Sequence, residues 1–65
     1  MKMTYEIDKK DYYIIKRKQK KILLKDLAEY IGCSIPHISQ WENNKSNMVQ
    51  EKEQKYYEYI DNTNK

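Results

Sequence analysis

The sequence predicts an all-α fold, and three observations predict it. Its 65 residues hold one glycine, Gly32, and one proline, Pro36, so the rest of the chain lacks the turn residues that strands need. No stretch alternates apolar and polar residues over the length of a strand, whereas apolar residues recur at spacings of three and four. A polar cluster, Asn43-Asn44-Lys45-Ser46-Asn47, reads as a loop between two such segments. The expected architecture is one compact domain of four helices, five at most, over residues 11–61.

The first helix is expected at about residues 11–20. Asp11 is a candidate N-cap, and Tyr12, Ile14 and Ile15 supply the apolar surface. Residues 1–10 before it read as a loosely held arm. Ile22-Leu23-Leu24 leads into a second helix at about residues 24–31, where Leu27, Ala28 and Ile31 form one stripe. Gly32 ends that helix, because glycine takes the left-handed conformation other residues resist. A third helix follows at about residues 35–42. Ser34 is its natural N-cap, and Pro36 sits in the first turn, where a missing N–H costs nothing. Ile38 and Trp41, three apart, point inward. The last helix is expected at about residues 48–60, with Val49, Tyr56 and Ile60 on one face and Tyr59 flanking it. Residues 62–65 read as a frayed tail.

Composition excludes several function classes. A chain this short buries only about 60% of its unfolded surface, which leaves little core on which to build a catalytic cleft. One cysteine, Cys33, permits no internal disulfide, and with one histidine, His37, it cannot complete a zinc site. An enzyme, a metal protein or a cofactor-dependent protein is not expected. No apolar run approaches the ~18 residues of a membrane span, and the first residues lack the apolar core of a signal peptide, so a cytoplasmic location is expected. The net charge is +3, and its distribution is uneven. Residues 1–32 carry nine Lys/Arg against five Asp/Glu, and residues 33–65 carry four against five. The excess lies in Lys16-Arg17-Lys18-Gln19-Lys20-Lys21, a cluster able to neutralise phosphates and release counterions. It is equally able to be a solvated helix face.

The segment LKDLAEYIGCSIPHISQW, residues 24–41, meets several conditions at once. Two short helices crossing steeply need a small residue at the crossing (Ala28) and a residue tolerating positive φ in the turn (Gly32). They also need apolar residues facing a shared core (Leu27, Ile31, Cys33, Ile38, Trp41). Polar residues, His37, Ser39 and Gln40, stand on the outer face of the second helix. With the ending Glu-Asn-Asn-Lys, the segment resembles the helix-turn-helix of the phage repressor and Cro family, also called the xenobiotic-response-element family. The resemblance covers about residues 13–45.

The resemblance implies a lambda-repressor-like domain and a small sequence-specific transcriptional regulator, of repressor type and phage or mobile-element character, that binds double-stranded DNA. It implies that residues 35–42 enter the major groove, with Ile35, Pro36, His37, Ser39 and Gln40 as candidate readers. Gln40 can contact adenine through both ends of its amide, and Ile35 or Pro36 can touch a thymine methyl. Phosphate contacts are expected from Ser34, Asn43, Lys45 and Lys25, with Lys18, Lys20 and Lys21 adding reach. The resemblance also pairs Arg17 with Glu42 in an ion pair tying the first helix to the third. The family usually has polar residues where Leu24 and Pro36 stand, glycine where Asn44 stands, and an apolar residue where Lys16 stands. Asparagine tolerates the left-handed conformation, and Ile14 or Ile15 is expected to fill the core space beside Lys16.

Such regulators usually bind as dimers, and the helix with Tyr56, Tyr57, Tyr59 and Ile60 is the expected place for a homodimer or protein-partner contact. A second class stays open: a protein-interaction module that keeps this fold but binds another regulator. Ile35 and Pro36 on the reading face are its support.

Overall fold

The computed structural model describes residues 8–63. They form four helices and no strand: α1 (Lys9–Gln19), α2 (Leu24–Ile31), α3 (Ile35–Glu42) and α4 (Gln50–Asn62). α2 packs on α3 and α4, and α1 lies across α3 and α4. The core therefore sits where α2, α3 and α4 converge. It is built from Ile22, Leu27, Ala28, Ile31, Ile38, Trp41, Met48, Tyr56 and Ile60. In α2 the buried residues follow the helical repeat at i, i+1 and i+4; in α4 they are Tyr56 and Ile60, one turn apart.

Gly32 closes α2 at φ +87, and its N–H donates to the Ala28 carbonyl at 2.8 Å. A side chain added there meets open space within 4 Å, so the cost of Gly32→Ala is backbone strain alone. We expect it to lower stability by about 1–2 kcal/mol, read as a lower denaturant midpoint with an unchanged slope.

The structure corrects the sequence reading at both ends. α1 starts at Lys9, and Asp8, not Asp11, holds the N-cap position, with no side-chain hydrogen bond there. Asp11 lies in the first turn, where a negative charge favours the helix dipole. The added residues are held by tertiary contacts. Lys10 Nζ donates to the Trp41 carbonyl at 2.8 Å and to Asn44 Oδ1 at 2.5 Å, and the Lys9 ammonium lies 4.5 Å from the centre of the Tyr57 ring. Of the expected arm, residues 1–7 lie outside the described residues, and Lys9 and Lys10 belong to α1.

No residue of α1 is fully buried. Tyr12 and Ile15 are about half exposed, Ile14 is half-buried, and the side chain that packs on the core is Tyr13. Neither isoleucine replaces the apolar residue expected beside Lys16. Asp61 of α4 decides this orientation: Tyr13 Oη donates to it at 2.8 Å and Lys16 Nζ at 3.2 Å. Those donors hold the Asp61 carboxyl below the usual carboxylate range, the tyrosine hydrogen bond contributing most.

α4 starts at Gln50. Val49 is its extended N-cap residue and is 60% exposed, so it does not share the inner face; Met48 enters the core instead. At the other end Asn62 closes α4, and Thr63 Oγ1 donates to the Tyr59 carbonyl at 2.7 Å; residues 64 and 65 lie outside the described residues. A further correction concerns the expected partner surface. Tyr56 and Ile60 are wholly buried within the protomer, and Tyr57 and Tyr59 are half-buried. The three tyrosines pack against Trp41, Tyr13 and Tyr30, because aromatic rings at this spacing supply the apolar area a small core lacks. What α4 turns to solvent is polar: Glu51, Gln54, Lys55, Glu58 and Asp61.

Candidate nucleic-acid interface

The α2–turn–α3 unit is set by its local chemistry. The Ala28 carbonyl accepts from both Gly32 N and Cys33 N, which reverses the chain after α2. Cys33 is half-buried against the core, and burial pushes its thiol up, away from a reactive thiolate. Ser34 is extended and its Oγ accepts from His37 N at 3.2 Å, so α3 starts with a capped first turn and Pro36 inside it. Leu23, the N-cap of α2, has no side-chain oxygen, and the first turn of α2 is left without such a cap.

α3 is held from behind. Ile38 and Trp41 are buried, and Trp41 Nε1 donates to Glu53 Oε2 at 3.2 Å. At its C-terminal end Arg17 Nε donates to Glu42 Oε2 at 2.8 Å and a terminal guanidinium nitrogen donates to Glu42 Oε1 at 3.1 Å. The pair is fork-like, and its side chains are only 11% and 9% exposed. The same guanidinium donates to the Ile22 carbonyl at 3.0 Å, and Tyr56 Oη donates to Glu42 Oε2 at 2.5 Å. Burial first, and the Glu42 carboxylate second, push the Tyr56 hydroxyl up, so it stays a donor. Three helices thus meet on one carboxylate.

The predicted site residues fall into three groups. Ile35, Pro36 and Gln40 stand exposed on α3, with Ile35 at 43%, and Ser39 beside them is half-buried. His37 is drawn aside: it is half-buried, and its Nε2–H donates to the Asn47 carbonyl at 3.1 Å. Around the ends of α3, Ser34, Asn43 and Lys45 are exposed, and Lys25 is exposed in the first turn of α2. Asn43 Nδ2 donates back to the Ser39 carbonyl at 2.8 Å, and Lys45 N to the Gln40 carbonyl at 2.7 Å, so the loop after α3 is tied to the helix. Asn44 supplies its left-handed residue at φ 62. Of the additional lysines, Lys18 and Lys21 are exposed, whereas Lys20 Nζ donates to the Ile60 carbonyl at 2.6 Å and completes the end of α4.

Two residues that position this surface escape the sequence reading. Lys10 bridges the last turn of α3 to the loop beyond it, and Tyr56 adds a third helix to the Arg17–Glu42 clasp. The inward spacing of Tyr56 is visible in the α4 pattern, but nothing local shows where its hydroxyl goes. Among the described residues no group of His, Cys, Asp or Glu could hold a metal ion, and no helix is long and apolar enough to cross a membrane.

A family model described as helix-turn-helix matches residues 15–48, from within α1 to the connection after α3. No curated protein and no solved structure matches the chain.

Proposed function

Because the chain belongs to the helix-turn-helix family of the Cro/C1, xenobiotic-response-element type, a family of DNA-binding regulators, we propose that it is a sequence-specific repressor of phage or mobile-element type that lays α3 in the major groove. The observation that carries this reading is the exposed face of α3, with Ile35, Pro36 and Gln40 outward and Ile38, Trp41 and Glu42 locked inward. In this reading Ile35, Pro36, Ser39 and Gln40 meet base edges, with His37 beside them. Ser34, Asn43, Lys45 and Lys25 meet the flanking phosphates. The Ser34 hydroxyl accepts from His37 N as a cap and keeps its own hydrogen for a phosphate oxygen. The uncapped start of α2 offers further N–H groups to the backbone. A role on DNA implies the compartment that holds the DNA, the cytoplasm.

A single small module buries only about 600–1,000 Å² on DNA, so two copies on successive half-sites are part of the proposal. With Tyr56 and Ile60 inside the protomer, the outer face of α4 would meet its partner through polar side chains.

A fluorescence titration against genomic fragments at two salt concentrations tests the reading. Strong preference for one fragment with a steep salt dependence supports it. Gln40→Ala is expected to relax sequence preference. Lys45→Ala is expected to weaken binding to all sequences alike and to reduce the salt slope by about 1. Equal losses on every sequence from both variants would contradict the division of roles. The exposed Ile35 beside Pro36 favours one competing reading, a module that binds another regulator. Absence of DNA binding even at low salt, with a stable complex to a protein, would select it.

A further inference from the structure

We infer that α3 specifies A·T base pairs, through thymine methyl groups and one adenine, and lacks the groups that specify G·C pairs best, an Arg or Lys for guanine and a free carboxylate for cytosine. This rests on the DNA-reading role proposed above and names the class of site read.

In the major groove guanine shows two acceptors, read chiefly by Arg or Lys, and cytosine a single donor, read by a carboxylate. Adenine shows a donor beside an acceptor, read by Gln or Asn, and thymine shows a methyl. α3, with sequence IPHISQWE, contains no Arg or Lys. Its one carboxylate, Glu42, is bound by Arg17 and Tyr56 on the protein side and is 9% exposed, so it cannot accept from a cytosine. His37, the remaining ring donor for guanine, has its Nε2–H on the Asn47 carbonyl. Asn43 stands past the end of the helix with its amide on the Ser39 carbonyl.

What α3 leaves exposed is Ile35, Pro36 and Gln40; Ser39 beside them is half-buried, and its hydroxyl can meet either base pair, so it does not discriminate. Ile35 and Pro36 occupy its N-terminal turn, the part of such a helix that comes nearest the base edges. They offer only apolar surface, and the one base substituent that matches it is the thymine methyl. Gln40, one turn along from Pro36, carries the donor and acceptor that match adenine. Lys25 and Lys45 lie off the helix, on α2 and on the loop, where they suit phosphates.

The test starts from duplexes selected by the protein out of a random pool. Each thymine of the selected site is then replaced by deoxyuridine, which removes the methyl and leaves every hydrogen-bonding edge intact. Sites with A·T pairs under α3 are expected, and each contacted thymine should lose about fourfold in affinity on replacement, the ratio that burying one such group supplies. Ile35→Ser, at an exposed first-turn position, should bind less tightly and lose part of the deoxyuridine penalty while its melting curve stays in place. G·C pairs enriched under α3 would overturn the inference. So would indifference to deoxyuridine at every thymine of a site that the protein otherwise discriminates. Tight, salt-dependent binding without any sequence preference would also overturn it while leaving DNA binding standing. No binding to any duplex at low salt would overturn the DNA role itself, and this inference with it.

Discussion

Replacing Glu42 by alanine is expected to lower stability by roughly 3 kcal/mol, one of the largest effects of any single change outside the apolar core. The Glu42 carboxylate accepts from Arg17 twice and from Tyr56 once, and both members of the ion pair are close to fully buried. Its removal leaves a guanidinium and a hydroxyl without their acceptor in a place water reaches poorly, which is the expensive way to break such a pair. For a domain of this size a loss of that order moves Tm down by roughly 10–20 °C. Thermal unfolding followed by circular dichroism measures it. An unchanged midpoint would show that the clasp contributes nothing.

The same network makes a sharper expectation. Arg17→Met, Glu42→Leu and Tyr56→Phe together remove every charged group and hydroxyl of it, so that only the Ile22 carbonyl loses its donor. Buried ion pairs often exchange for apolar residues at little cost. The triple variant should therefore melt well above Glu42→Ala. If it does, the clasp acts mainly by orienting α3 against α1 and α4, and its removal should appear in DNA affinity more than in Tm.

The second large effect is expected from Ile60→Ala. Ile60 is wholly buried on the inner face of α4, one turn beyond Tyr56, and α4 lies beyond the matched helix-turn-helix segment. Truncating a fully buried isoleucine costs roughly 2–5 kcal/mol in lost transfer energy and cavity. A chain of 65 residues has a total stability of only about 3–10 kcal/mol. The variant should thus lose a large share of its stability and melt at a much lower temperature, with helical signal and DNA binding falling together as it unfolds. Binding should weaken in proportion to the folded fraction, because only that fraction presents α3. Full helicity with lost binding would instead mean that α4 itself touches the nucleic acid.

Neither Glu42 nor Ile60 lies on the exposed face of α3, yet that face depends on their support. Gln40 and Ile35 are held outward because Ile38 and Trp41 are anchored beneath them. Trp41 is in turn covered by Tyr56 of α4, with ring centroids 4.7 Å apart, and its carbonyl is held by Lys10 of α1.

The sequence by itself determined the all-α class, the family, and the α2–turn–α3 unit. The reason is that the chemistry of that unit is local. Ala28, Gly32, Ser34 and Pro36 each act on backbone within a few residues of themselves, through a small side chain, a positive φ, a capping oxygen and a preset φ. Resemblance also names Arg17 and Glu42 as partners, because both lie within the matched segment. The tertiary structure alone decided the rest. It set the start of α1, through Lys10 on α3 and Lys9 on Tyr57, and the inward turn of Tyr13, through Asp61. It placed Met48 rather than Val49 in the core, and it turned Tyr56 and Ile60 from a candidate partner face into the centre of the fold. It also turned His37 toward Asn47, leaving Ile35, Pro36 and Gln40 as the exposed residues of the outer face of α3. For Lys10, Tyr13 and His37 the deciding partner is ten or more residues away in the chain. A periodic pattern shows that a side chain belongs to a face, but which neighbour that face meets is settled only when the helices pack.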